Sequence, residues 1–309
     1  MMKAMMAAGV VAAFGATALS VVGPRDVPVR RSSHTWPTAT AGGLAILAGW
    51  IAGWWLLPPL MGTLLLFGIA AALLGLLDDV FGLGPRVKLA GQGMLIAAAI
   101  ATYGALPMPF GLGVAFSLLW GLAVINAVNF MDGADGMAAG TALVVLVTLA
   151  EAFGVSGHSL VVLAVAVAVF LPFNLGKRLF MGDCGSHLLG AVIAVTVLIA
   201  PSVFWLVVAG LLPFAVDTAS TLLMRAWRRA PFWQAHRDHA YQILMRSGWS
   251  HLRVSALYTA ASALGVAGLK WMPAGFGLMW LVVYGAFLWM IALHARRWAQ
   301  NRAKAASGS

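Results

Sequence analysis

Apolar runs of about 20 residues recur along nearly the whole chain, broken only by short polar stretches, and no other feature limits its fold so severely. A run of that length crosses a ~30 Å hydrocarbon core as a helix. In lipid only helices and closed barrels satisfy their own backbone. The runs predict helices near 4–22, 41–57, 60–77, 89–105, 111–130, 137–154, 158–175, 187–200, 202–223, 252–270 and 274–293. The expectation is an all-α, polytopic integral membrane protein with about 11 transmembrane helices. It forms one transmembrane domain over 1–294, followed by a polar tail over 295–309. Composition excludes the soluble alternative: 62% of the 309 residues are hydrophobic and 9% charged, against ~25% charged in water-soluble chains. The single Cys184 excludes an intrachain disulfide, and no Cys/His spacing for structural zinc occurs.

The net charge of +10 invites a nucleic-acid partner. No basic stripe with interleaved aromatics supports one, so no nucleic acid is expected. Membrane topology explains the excess instead. If the first helix runs from outside to inside, all but Lys3 and Lys270 of the 19 basic residues fall in or beside the inner segments, the asymmetry that sets orientation. The amino terminus is therefore expected outside and the carboxyl terminus in the cytoplasm. The rival, a cleaved signal ending near Ala16-Thr17-Ala18, would wreck that asymmetry.

The nine acidic residues are grouped as sharply: all but Glu151 fall at or near the inner face. Pairing with inner basic residues is the plain explanation. Helix direction adds a complication, because Asp78, Asp79, Asp132, Asp135 and Asp217 follow or end inward-running helices, where the dipole is already negative. A compensating cation is then expected. Oxygen ligands without His/Cys clusters favour Mg²⁺, with Mn²⁺ as an admissible substitute.

Four segments carry candidate chemistry. In the first, the adjacent Asp78 and Asp79 at a helix end are followed by Lys88 and Gln92, four apart on one helix face, where they could hold a phosphate. In Asn126-Ala-Val-Asn129-Phe-Met-Asp132-Gly133-Ala-Asp135-Gly136, polar side chains recur every third residue at the end of an apolar run. That row suits a polar ligand better than helix packing. In the third segment, Asn174, Lys177 and Arg178 precede Gly182-Asp183-Cys184-Gly185-Ser186, where glycines bracket Asp183 just before a helix start. The fourth places His236-Arg237-Asp238-His239-Ala240-Tyr241-Gln242 in an inner loop, either as a diphosphate clamp or as ordinary loop chemistry. A loop from Arg25 through Arg31-Ser32-Ser33-His34 to Thr38 precedes them all. The chain has no GxxxxGK[ST], GxGxxG or GxSxG motif.

Together and in this order, these segments resemble the polyprenyl-phosphate N-acetylhexosamine-1-phosphate transferase superfamily. The fourth is similar to the HRxHAYQ form of its O-antigen-initiating branch, whose members use GlcNAc, FucNAc or QuiNAc. The resemblance spans Arg25 to Gln242. It implies a bacterial inner-membrane enzyme whose 1–294 catalytic domain faces the cytoplasm. That enzyme moves N-acetylhexosamine 1-phosphate from a UDP-N-acetylhexosamine to undecaprenyl phosphate, releases UMP and depends on Mg²⁺. Carried over by motif position, Asp78, Asp79 and Asp183 are catalytic, with Asp183 and Asp79 also on the metal. Lys88, Asn126, Asn129, Asp132, Asp135, Asn174, His236, Arg237 and His239 bind substrate. The family also admits a homodimer and teichoic-acid or enterobacterial-type relatives. From another class, a secondary transporter would carry its acids near the bilayer midplane; here they cluster at helix ends.

Overall fold

The computed structural model describes residues 1–26, 37–58, 62–229, 237–273 and 275–307. Among them run α1 (Met2–Val22), α2 (Gly42–Trp54), α3 (Gly62–Phe81), α4 (Pro85–Tyr103), α5 (Gly113–Phe130), α6 (Met137–Phe153), α7 (His158–Leu175), α8 (Gly182–Ile199), α9 (Phe204–Trp227), α10 (Ala240–Arg246), α11 (His251–Trp271) and α12 (Gly277–Ser307). An antiparallel ribbon of two-residue strands, β1 (Arg25–Asp26) and β2 (Thr38–Ala39), interrupts the helices, and Ala39 also bridges to Leu179 in parallel. Its Ala39 carbonyl accepts from Phe180 N–H at 2.7 Å, which ties the first loop to the turn before α8.

Eight helical stretches are long and apolar enough to cross a bilayer, one of them the 39-residue Met137–Leu175 stretch that contains α6 and α7. The chain is thus all-α and of the polytopic membrane type. The expected spans outside that set are α2, which has only 13 residues, and α4, whose first half carries Arg86, Lys88 and Gln92.

α8 is the axis of the bundle: every residue from Cys184 to Leu198 is buried, with α3, α5 and α2 packed around it. Glycine makes the closest approach possible. A Cβ on Gly75 of α3 would strike the Asp183 carbonyl, so the two backbones touch where the first and third segments meet. On the far side, α1 lays buried Ala4, Ala8, Ala12 and Ala16 toward α2 and α7, while α6, α9, α11 and α12 form a second packed group.

Several boundaries differ from expectation: α3 runs on to Phe81 and α4 starts at Pro85, so that Asp78, Asp79 and Lys88 lie within helices, and α9 runs on to Trp227. α8 starts at Gly182 rather than near 187, because Gly182 takes φ +74° and turns the chain straight into the helix, putting Asp183 inside the first turn. α2 stops at Trp54, short of 57. α12 runs to Ser307 through the expected polar tail, whose Ala, Arg, Lys and Gln residues all favour helix. The seven-residue α10 was not foreseen.

Candidate active site

Asp183 is where the segments meet. It lies in the first turn of α8, where the helix dipole favours a carboxylate. Lys88 Nζ donates to its Oδ2 at 2.6 Å, and Asn129 Nδ2 donates to its Oδ1 at 2.8 Å and to Ser186 Oγ at 2.9 Å. Lys88 also pairs with Asp78 Oδ2. One ammonium therefore stands between two carboxylates contributed by α3 and α8, with an amide from the end of α5 alongside.

Asp79 faces elsewhere. Its Oδ1 accepts the Asp183 N–H at 2.9 Å and its Oδ2 the Cys184 N–H at 3.0 Å. Expected as a catalytic acid and metal ligand, it caps the N-terminus of α8, satisfying donors that the helix leaves open. Two other acids set against their own helix dipoles, Asp135 and Asp217, also face groups from another helix. Asp135 Oδ2 lies 2.7 Å from His251 Nδ1 at the start of α11. Asp217, ten residues before the end of α9 rather than at it, accepts from the Ala240 and Tyr241 N–H groups at 2.7 and 3.1 Å, where α10 begins. Tyr258 Oη donates to it at 2.6 Å, and Arg296 of α12 lies 3.5 Å away. Protein groups thus lie against Asp79, Asp135 and Asp217, and Asp78 with Asp183 is the pair that shares a single lysine.

Several expected ligand-binding side chains are engaged in holding the scaffold. Asn174 is buried, accepting from Gly136 N–H at 2.6 Å and donating to the Leu179 carbonyl at 3.1 Å. Asn126 donates to the Leu122 carbonyl at 2.8 Å and to Gln92 Oε1 at 2.7 Å. Gln92, expected to share a phosphate-facing surface with Lys88, is buried and meets His187 Nε2 at 2.9 Å. His187 in turn meets the Asp183 carbonyl through Nδ1 at 2.8 Å. Asp135 is buried against α11, and its carbonyl accepts from Ser255 Oγ at 2.6 Å. Asp132 is half-buried in the loop after α5; its burial, then the carboxylates of Asp183, Asp135 and Asp79, push its carboxyl well above the usual range.

The fourth segment reaches the same region. His239 is buried 3.4 Å from Asp217 Oδ1 and stacks on Tyr241. The Tyr241 hydroxyl donates to the Phe130 carbonyl at 3.1 Å, beside Asn129. The Arg237 carbonyl accepts from Arg246 at 2.8 Å. His236 lies outside the described residues. The sequence reading passed over His187, Tyr258 and Arg296. A histidine four residues after Asp183 in an apolar run was a usable signal for the first; Tyr258 and Arg296 are joined to the site only by tertiary packing.

The family described as glycosyl transferase family 4 matches residues 61–201, which hold the first three segments. A probable undecaprenyl-phosphate N-acetylglucosaminyl 1-phosphate transferase of Bacillus subtilis (strain 168) is 26% identical over 87% of this chain and 82% of its own length. A phospho-N-acetylmuramoyl-pentapeptide-transferase of Limosilactobacillus fermentum is 29% identical over 79% of this chain and 88% of its own. A decaprenyl-phosphate N-acetylglucosaminephosphotransferase of Mycobacterium tuberculosis (strain ATCC 25618 / H37Rv) is 31% identical over 76% of this chain and 72% of its own. With the motifs, the helical architecture and these likenesses in agreement, the chain belongs to glycosyl transferase family 4, the superfamily of polyprenyl-phosphate hexosamine-1-phosphate transferases.

Proposed function

We propose that this chain is a membrane phosphoglycosyl transferase that moves an N-acetylhexosamine 1-phosphate from a UDP-sugar to undecaprenyl phosphate, releasing UMP, as the first step of O-antigen or another cell-surface glycan. The observation that carries the reading is the meeting of Asp78, Lys88, Asn129 and Asp183, from three separate segments, around one shared cation. The relatives' names add a polyprenyl phosphate acceptor and a sugar-phosphate transfer, as properties of those proteins. The charge asymmetry further supports about eleven spans, an outside amino terminus and a site facing the cytoplasm of a bacterial inner membrane.

Mg²⁺ fits the residues present. The Lys88 ammonium stands between Asp78 Oδ2 and Asp183 Oδ2, and hard oxygens around a cation are what Mg²⁺ takes. Among the described residues no group of three or more His, Cys, Asp or Glu could hold a metal unaided. That suits an ion that completes its shell with water and substrate phosphates. Asp183 and Asp78 would hold it, and when bound it neutralises charge on the diphosphate.

The remaining work falls to the chain. An oxygen of the lipid phosphate attacks the sugar-bearing phosphorus; the new P–O bond forms as the bond to the bridging oxygen breaks, and its electron pair leaves with UMP. A phosphate monoester has already lost most of its second proton above pH ~6, so Asp78 needs only to orient the acceptor. Lys88, released from its carboxylates, meets phosphate, and Asn129 holds the Asp183 carboxylate in place. His239 and Arg237 are the fourth segment's side chains for the donor.

Purified protein given undecaprenyl phosphate and a panel of labelled UDP-N-acetylhexosamines should transfer label to lipid from at least one donor with Mg²⁺ and none with EDTA. No transfer from any donor by folded protein would remove the enzyme reading and direct attention to ion-coupled transport.

A further inference from the structure

The polar side chains behind Asp183 form a chain whose direction is fixed at every link. Asn126 Nδ2 lies 2.8 Å from the Leu122 carbonyl, which can only accept, so this atom is the amide nitrogen. The same nitrogen donates to Gln92 at 2.7 Å, which makes that atom Oε1 and leaves Gln92 Nε2 to point at His187 Nε2, 2.9 Å away. An amide nitrogen only donates, so His187 Nε2 must accept. His187 Nδ1 faces the Asp183 carbonyl at 2.8 Å and must carry the ring's hydrogen. Gln92 is 1% and His187 0% exposed, so water offers these groups no substitute partner, and each broken link leaves a buried polar atom unmet.

We infer that His187, held by Gln92 and Asn126 in the neutral Nδ1–H form, is a positioning residue: it grips the Asp183 carbonyl and so fixes the turn of α8 that presents the Asp183 carboxylate. Asp79 grips that turn from the amide side, and His187 from the carbonyl side. Such partners orient a ligating carboxylate without touching the metal. The inference rests on the proposed reading of Asp183 as the metal-binding acid.

Its test uses the full-length protein in detergent, Mn²⁺ as an EPR-visible probe, and ¹⁵N-histidine NMR. In the wild type, the imidazole signal that vanishes in His187→Leu should show a protonated Nδ1 and a bare Nε2; Gln92→Leu should shift it. Both variants should weaken Mn²⁺ binding by about tenfold or more at a temperature where each is still folded, and each should unfold at a lower temperature than the wild type because buried polar atoms are left unmet. His187→Asn, which still offers an N–H toward the Asp183 carbonyl, should recover part of the loss. Unchanged Mn²⁺ affinity in His187→Leu and Gln92→Leu, or an Nε2–H wild-type imidazole, would overturn the inference. If the wild type shows the expected imidazole but binds no Mn²⁺, both the metal reading and the inferred link from His187 to metal binding fall. Mn²⁺ binding that weakens as expected in a protein transferring no sugar would sink the transferase reading alone.

Discussion

At the scale of single residues, the adjacent aspartates divide their work although the sequence presents them as equals. Asp78 shares Lys88 with Asp183, whereas Asp79 spends both oxygens on the backbone of α8. Replacing Asp79 by Ala removes a cap worth about 1 kcal/mol, so Asp79→Ala should lower the unfolding temperature as well as the transfer rate. Asp183→Asn keeps the side-chain volume and should leave unfolding nearly unchanged while abolishing transfer. Parallel melting curves and rate measurements on the two variants check this split; equal melting losses would refute it. Lys88→Met leaves two carboxylates facing each other without a cation, and should slow transfer more than Lys88→Arg does. The residue types of this site were legible in the sequence, since acids and amides in an apolar chain are conspicuous. Their individual roles were not, because those depend on which backbone or side chain from another helix happens to face each one.

Among the elements, the long helices were readable because a 20-residue apolar run has little else to become, and their order held throughout. α10 escaped notice because seven residues carry too short a period to announce a helix, and its start is secured by Asp217 from α9, far away in sequence. The first turn of α8 was mistaken for a loop because glycines normally signal turns. Here Gly182 makes the turn, and Gly185 lies inside the helix with Gly43 of α2 packed against it. Two substitutions test these seats. A Cβ at Gly75 meets the backbone of Asp183, which has no flexible end to give way, so Gly75→Ala should destabilise the protein by about 2 kcal/mol and reduce transfer by displacing α8. Asp217→Ala would leave the buried Arg296 without its carboxylate. It should cost about 3 kcal/mol or more, with Asp217→Asn milder, as judged by thermal unfolding in one detergent.

For the whole molecule, the bundle gathers its chemistry-bearing segments by a simple device: α3 and α5 end, and α4 and α8 begin, where Asp78, Lys88, Asn129 and Asp183 touch. The proposed function requires that a lipid-borne acceptor and a water-borne nucleotide both reach this place. The proposed orientation is checked by thiol labelling of intact spheroplasts. Lys3→Cys should react from outside and Arg86→Cys only after permeabilisation, with the buried Cys184 silent in both; the reverse pattern would invert the topology. The central claim is that sugar and phosphate move together, with Asp183 required. The most direct measurement is the fate of the label in a UDP-GlcNAc carrying ³²P in its sugar-bearing phosphate, incubated with undecaprenyl phosphate and either wild type or Asp183→Asn. The account predicts lipid-bound ³²P and unlabelled UMP with the wild type, and neither with the folded variant. Label left in released UDP, or transfer that survives in Asp183→Asn, would contradict it.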